Sequence, residues 1–168
     1  MIWATVGGVT VGLIILAAAV IKWFPGRKKL VSDPLECIGE ALPFVAGWAY
    51  GALATLSVGG LLGWMFDTVL WVSNWLGDAA LWLGVGTDAG VSSRGTYLPL
   101  TAQGSSAVLI LTGVVLAVIK FRRCGREVKL GAWCGACLGT SAGVAGLAAV
   151  PLAQAANWLG VTVYGAMA

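Results

Sequence analysis

Long apolar stretches separated by short charged or glycine-rich segments are the dominant pattern along this chain. A helix that crosses the roughly 30 Å hydrocarbon core of a bilayer needs about 20 mainly apolar residues. Four stretches come close to or exceed that length, and they cover residues 2–21, 43–66, 105–121 and 130–150. We therefore predict an all-α integral membrane protein with four transmembrane helices, arranged as two hairpins within a single membrane domain, 1–168.

An amphipathic pattern follows the second predicted span. Residues 68–85 place apolar side chains on one face of a helix, and place Asn74 and Asp78 beside a row of tryptophans. The tryptophans of this row, which we predict to be interface anchors, are Trp64, Trp71, Trp75 and Trp82. Because indole rings concentrate at membrane–water interfaces, we expect an interfacial helix over about 68–85, with a fifth crossing as the alternative. An outer loop, 86–104, and an uncharged C-terminal tail, 151–168, complete the predicted domain.

The composition agrees with a membrane protein and narrows its chemistry. Apolar residues make up 59% of the chain and charged residues 10%, with a mean hydropathy of +0.91. In an average soluble domain about a quarter of the residues are charged. The chain has no histidine, the commonest metal ligand and the usual proton-transfer group near neutral pH. We therefore expect a protein that is not an enzyme and that needs no cofactor and no metal.

The basic residues are distributed unevenly, and this predicts the orientation. Nine of the ten lie in or beside the connections that follow predicted spans one and three, and only Arg94 lies on the opposite side. The positive-inside rule then places both termini on the extracytoplasmic side. The residues that we expect to contact anionic lipid headgroups are Lys22, Arg27, Lys28, Lys29, Arg122, Arg123, Arg126 and Lys129. Since topology and lipid explain these clusters, no nucleic acid partner is expected.

Glycines recur every four residues along several predicted spans. The helix-packing glycines that we predict are Gly131, Gly135, Gly139 and Gly143 in span four, Gly8 and Gly12 in span one, and Gly47 and Gly51 in span two. This spacing lines up positions without side chains on one helix face, where another backbone can approach closely. The partner is either another helix of the same bundle or another copy in a homo-oligomer. The two hairpins share this layout, but their sequences do not align convincingly, so no internal repeat is predicted.

Two of the four cysteines form a motif. Trp133-Cys134-Gly135-Ala136-Cys137 resembles the W-C-G-x-C motif of thioredoxin-type oxidoreductases, and a four-span chain with a CxxC is similar in layout to membrane disulfide-forming quinone reductases. The resemblance implies a redox pair, Cys134 and Cys137. The charge distribution, however, places the pair at the cytoplasmic face, where thiols stay reduced. We expect the cysteines to be small apolar fillers, with a four-thiolate zinc site that adds Cys37 and Cys124 as a further alternative.

These patterns favour a non-enzymatic structural or scaffolding subunit of a membrane protein complex or membrane-bounded particle. The alternative is a self-assembling pore or secretion component, since the hairpin with a basic inner turn resembles the pilins of conjugative secretion systems and small holins. Hydroxyl side chains available to line such a pore are Thr55, Ser57, Thr140 and Ser141. A secondary transporter is disfavoured because no charged residue lies in the middle of any predicted span. A thiol oxidoreductase is the third hypothesis.

Overall fold

The computed structural model describes residues 4–24, 34–57, 60–87, 90–91, 100–121, 124–141 and 144–167. The described residues form six helices and no extended strand. The helices are α1 (Val6–Trp23), α2 (Pro34–Ala54), α3 (Gly60–Val85), α4 (Ala102–Phe121), α5 (Gly125–Gly139) and α6 (Val144–Met167). The predicted all-α class is confirmed. An antiparallel bridge joins Thr5 to Val91, next to a hydrogen bond from the Val6 amide to the Gly90 carbonyl.

Two of the helices, α1 and α4, are long and apolar enough to cross a membrane. They contain most of the predicted spans 2–21 and 105–121. The α1 helix has an 18-residue window of mean hydropathy 2.0, and so does α4. Both helices also expose large aliphatic side chains, such as Ile14 and Ile110, as a surface against lipid would require. These two helices support membrane association.

In the structure, a helix is interrupted within each of the other two predicted spans. Predicted span 43–66 contains the end of α2 and the start of α3, and predicted span 130–150 contains the end of α5 and the start of α6. At the first break the Thr55 hydroxyl donates to the Ala52 carbonyl at 2.8 Å, and Gly60 has a φ of +72°. At the second, the Ser141 hydroxyl donates to the Leu138 carbonyl at 2.7 Å. Hydroxyls that bond to the backbone carbonyl three residues earlier compete with the backbone hydrogen bonds of a regular helix.

The remaining predicted segments also differ from the structure. The predicted interfacial helix 68–85 is the second part of α3, which begins at Gly60 and packs along α1. The predicted tail 151–168 lies almost wholly within α6, in which Pro151 is an internal residue. Proline removes one backbone hydrogen bond and tends to kink a helix, but here the helix continues beyond it. Of the predicted outer loop 86–104, the last residues belong to α4 and most of the remainder lies outside the described residues.

The relative directions of the helices are given by the contacts between their ends. The start of α1 contacts the end of α3, with Thr5 bonded to Asp78, so the two helices are antiparallel. At its other end, α1 meets the start of α5 through Lys22 and Glu127, so α5 also runs opposite to α1.

The two central helices, α2 and α5, run parallel to each other. Gly47 faces Val128, and one turn later Gly51 faces Ala132. Because α5 runs opposite to α1, so does α2. Consecutive helices α2 and α3 thus run in the same direction.

Candidate functional site

The central contact of the molecule is the parallel pair α2 and α5. A Cβ built on Gly47 would fall within 3 Å of the Val128 carbonyl, and one on Gly51 within 3 Å of the Ala132 carbonyl. From the other side, Gly131 and Gly135 face the backbones of Phe44 and Trp48, and Gly139 faces Ala52. Real Cβ atoms essentially never approach backbone so closely, and only glycine allows this separation. Five of the predicted packing glycines are therefore in contact within one chain.

The remaining predicted glycines have different surroundings. Gly8 lies against the Asn74 side chain, and Gly12 lies against Cys137 and Leu138. Gly143 is outside the described residues. The glycines of α1 therefore bring this helix close to both α3 and α5.

A hydrogen-bonded clasp fixes the start of α1 on α3. The Thr5 hydroxyl accepts a bond from the Gly8 amide at 3.1 Å and donates one to the Asp78 carboxylate at 2.7 Å. The Thr5 amide donates to Asn74 Oδ1 at 3.2 Å. Threonine is a favourable N-cap because its hydroxyl satisfies an otherwise unpaired amide of the first turn. Here the same residue also connects two helices, which places Asn74 and Asp78 at the N-terminal end of α1.

The same clasp occurs a second time, at the start of α4. The Thr101 hydroxyl accepts from the Gly104 amide at 3.1 Å, while the Thr101 amide and hydroxyl both donate to Asn157 Oδ1, at 3.0 and 3.1 Å. Gly104 lies against the Asn157 side chain as Gly8 lies against Asn74. Likewise Gly160 of α6 lies against the backbone of α4, as Gly77 of α3 lies against that of α1.

Two halves of the chain, α1–α3 and α4–α6, thus share the same kind of helix–helix clasp, although alignment of the two predicted hairpins did not indicate a repeat. A sequence signal was present, since Asn-Trp-Leu-Gly occurs at residues 74–77 and again at 157–160. In each half a Thr-x-x-Gly sequence begins the helix that this tetrapeptide contacts. The interval from threonine to asparagine is 69 residues in the first half and 56 in the second. The differing intervals prevent an ungapped alignment from finding the repeat.

The breaks that follow the two central helices meet side by side. Gly139, the last residue of α5, lies against Ala52 of α2, and a Cβ there would be 3.5 Å from the Thr55 hydroxyl. The Ser57 and Thr140 hydroxyl oxygens are buried and have no hydrogen-bond partner among the described residues. Thr140 is 8% exposed. Buried hydroxyls without a partner are costly, so a pair of them at equivalent breaks is a candidate functional site. Sequence analysis named these residues but did not predict that the two breaks meet.

Cys134 and Cys137 are fully buried where α5 contacts α1. The Cys134 thiol donates to the Gly12 carbonyl at 3.3 Å, and the neighbouring Trp133 indole donates to the Ser73 hydroxyl of α3 at 2.8 Å. Cys134, Cys137 and Cys124 are free thiols, and the Cys37 side chain is outside the described residues. Both side chains are 0% exposed and fill small spaces between helices.

The predicted surface residues occupy the periphery. Lys22 forms an ion pair with Glu127 at 2.5 Å, and Arg126 and Lys129 are exposed. Arg27, Lys28, Lys29, Arg122 and Arg123 lie outside the described residues. The four tryptophans Trp64, Trp71, Trp75 and Trp82 are all exposed on one face of α3, at between 59% and 68%.

An apolar cavity of about 760 Å³ lies between α1, α2 and α5. Leu16, Phe44, Trp48 and Leu138 line its apolar part, and the charged groups at its rim are Lys22, Glu40 and Glu127. Nothing in the sequence pattern predicted this cavity, because residues of three separate helices form it.

Comparison with models of known protein families, with curated proteins and with solved structures finds no match.

Proposed function

We propose that this chain is a non-enzymatic, multi-pass membrane protein that provides a path for a small monovalent cation across the bilayer. The proposal rests on one observation, the two corresponding helix breaks that meet side by side and carry buried hydroxyls with no partner among the described residues. Interrupted helices at corresponding positions of two halves are the usual place of ion and substrate sites in membrane transport proteins. The pore hypothesis is therefore favoured over the scaffold, although the latter is the first expectation from sequence.

The arrangement that we propose has four crossings, by α1, α3, α4 and α6. Since α3 is antiparallel to α1 and packs along it, a bilayer crossed by α1 is crossed by α3 as well. The polar residues of α3 do not prevent this, because Asn74 and Asp78 bond to Thr5 at the N-terminal end of α1 instead of lying unpaired at mid-depth. The central helices α2 and α5, of 21 and 15 residues, then enter from the cytoplasmic side and end within the membrane. Both termini remain extracytoplasmic, and the basic connections cytoplasmic.

Neutral oxygens are the chemistry available at the meeting breaks. The C-terminal ends of α2 and α5 carry the partial negative charge of their unpaired carbonyls, and the hydroxyls of Ser57 and Thr140 add further oxygen atoms. Divalent cations favour carboxylate ligands, and Thr55, Ser57, Thr140 and Ser141 supply none. A monovalent cation matches such a site best.

Flux into liposomes tests this function. Protein reconstituted in vesicles should carry a monovalent cation such as Tl⁺, detected by quenching of an enclosed dye, and Thr140→Val should reduce the rate by about tenfold. Valine keeps the shape of threonine and removes the hydroxyl. Thr162→Val is the matched control, because the Thr162 hydroxyl bonds only its own helix, at the Trp158 carbonyl. Absence of flux, or equal flux in both variants, would contradict the proposal.

A structural subunit of a larger membrane assembly is the second candidate. The exposed tryptophan face of α3 favours it, because large aromatic side chains are enriched at protein interfaces and Trp71 and Trp75 lie near the middle of the helix. Most of the predicted packing glycines are occupied by contacts within the chain, so association would use the tryptophans instead. Mass measurement in mild detergent should then show an oligomer or a bound partner that the double variant Trp71→Leu, Trp75→Leu loses. A monomer in both would count against this candidate.

A further inference from the structure

We propose that the cavity between α1, α2 and α5 binds a lipophilic organic cation. This site is separate from the helix breaks, and the inference does not depend on the proposed ion path. The cavity volume of about 760 Å³ is in the usual range for small-molecule sites. Its wall is mainly aliphatic and aromatic, with polar groups gathered at one end.

Among the residues that line the cavity, carboxylates outnumber ammonium groups at the polar end. Two carboxylates, Glu40 and Glu127, and one ammonium, Lys22, lie at the rim. Lys22 pairs with Glu127 at 2.5 Å, so these two charges largely cancel. Glu40 lies on the exposed surface of α2, and no partner for its carboxylate occurs among the described residues. A ligand that places a positive charge near Glu40 would complete the pairing.

The aromatic side chains continue from this carboxylate into the cavity. Glu40, Phe44 and Trp48 follow each other at intervals of four residues, and all three line the cavity from one face of α2. Trp23 of α1 lines it from the opposite side. Aromatic faces attract organic cations through their negative quadrupoles, and more strongly where water is excluded. A cation with a bulky apolar body therefore fits the site better than an anionic lipid, whose phosphate would face Glu40.

Binding of tetraphenylphosphonium to the purified protein tests this inference. We expect saturable quenching of tryptophan fluorescence, and we expect Glu40→Gln to weaken binding by about tenfold, which corresponds to about 1.4 kcal/mol of lost charge interaction. Asp67→Asn is the matched control, since it removes a carboxylate on α3 that does not line the cavity. A second variant, Ala19→Phe, should fill part of the cavity and weaken binding without changing any charge. Thermal unfolding of each variant reports whether it is folded.

Three results would overturn the inference. They are no saturable binding to the wild-type protein, equal affinity in Glu40→Gln and wild type, and a co-purified anionic phospholipid, seen by native mass spectrometry, that tetraphenylphosphonium does not displace. The last result would identify the occupant as a lipid. Because Glu40 and Ala19 are remote from the helix breaks, loss of binding with normal Tl⁺ flux separates this inference from the proposed ion path.

Discussion

At the scale of single residues, glycine and hydroxyl positions carry most of the specific information in this chain. A glycine is required here where the backbone of a neighbouring helix lies against it, because there is then no space for a side chain. Gly135 faces the Trp48 carbonyl, whereas Gly113 of α4 has no atom near the place where a Cβ would be. The two positions look alike in the sequence, since both are glycines within apolar helices.

These two glycines give the first prediction. Gly135→Ala should lower the thermal stability, because the added methyl group forces α2 and α5 apart, at a cost of about 1–3 kcal/mol by analogy with overpacked cores. Gly113→Ala should be neutral or slightly stabilising, since alanine is the better helix former by about 1 kcal/mol. Thermal unfolding of both variants in detergent gives the comparison. Equal stability would mean that the α2–α5 contact is looser than described.

The second prediction concerns Cys134 and Cys137. The double variant Cys134→Ala, Cys137→Ala should retain wild-type flux and assembly, because both thiols are enclosed between helices and act as apolar fillers. A small loss of stability is expected from the two sulfur-sized spaces that alanine leaves. The measurement is liposome flux together with thermal unfolding. If the wild-type protein formed a reversible Cys134–Cys137 disulfide that exchanged electrons with a quinone, the oxidoreductase hypothesis would replace this one.

At the scale of helices, the repeated unit is a pair of antiparallel helices joined by a threonine–asparagine clasp. The third prediction is that its two residues are energetically coupled. Thr101→Val and Asn157→Ala both remove the bond from the Thr101 hydroxyl to Asn157 Oδ1, so the double variant should be less destabilised than the sum, with a coupling of about 0.5–3 kcal/mol. Thr101→Val combined with Asn74→Ala joins residues from different clasps and should be additive. Coupling of similar size in both pairs would contradict the clasp as an independent unit.

The sequence largely predicted which segments are helical, but it did not predict where those helices begin and end. Apolar runs indicated α1 and α4 because no break residue interrupts them. Hydropathy could not locate the breaks near Ser57 and Thr140, since serine, threonine and glycine are compatible with membrane helices. Which hydroxyls lie together is decided by the α2–α5 contact, a tertiary feature. The paired tetrapeptides 74–77 and 157–160 were visible signals, and they would have indicated the repeat if unequal intervals had been allowed.

At the scale of the whole molecule, the charge distribution and the helix directions are both compatible with the proposed orientation. Basic residues cluster near Lys22 and in the connection between α4 and α5, which are the C-terminal ends of the two helices that begin with a clasp. The proposed orientation therefore places the clasps at the opposite, outer side. The proposal keeps the predicted orientation of the termini but changes which segments cross, replacing 43–66 with α3 and 130–150 with α6.

The two assignments differ at one testable place, the start of α3. The number of residues from Leu61 to Asp78 in α3 equals the number from Thr5 to Lys22 in α1. Because the helices are antiparallel and Asp78 lies beside Thr5, the proposed arrangement places Leu61 at the same cytoplasmic end as Lys22. The original span 43–66 would instead place it towards the outer end. Leu61 and Val85 are both strongly exposed, at 75% and 70%, and are suited to labelling.

The fourth prediction uses these two positions in a background in which Cys37 and Cys124 are replaced by serine. A cysteine at position 61 should react with a membrane-impermeant maleimide only from the cytoplasmic side, and a cysteine at position 85 only from the outside. The buried thiols Cys134 and Cys137 should not react in intact protein, which keeps the background low. Labelling of both positions from the outside would restore the crossing 43–66 with an interfacial helix after it. In that case α3 could not lie along a membrane-spanning α1, and the proposed meeting of the two helix breaks within the bilayer would fail with it.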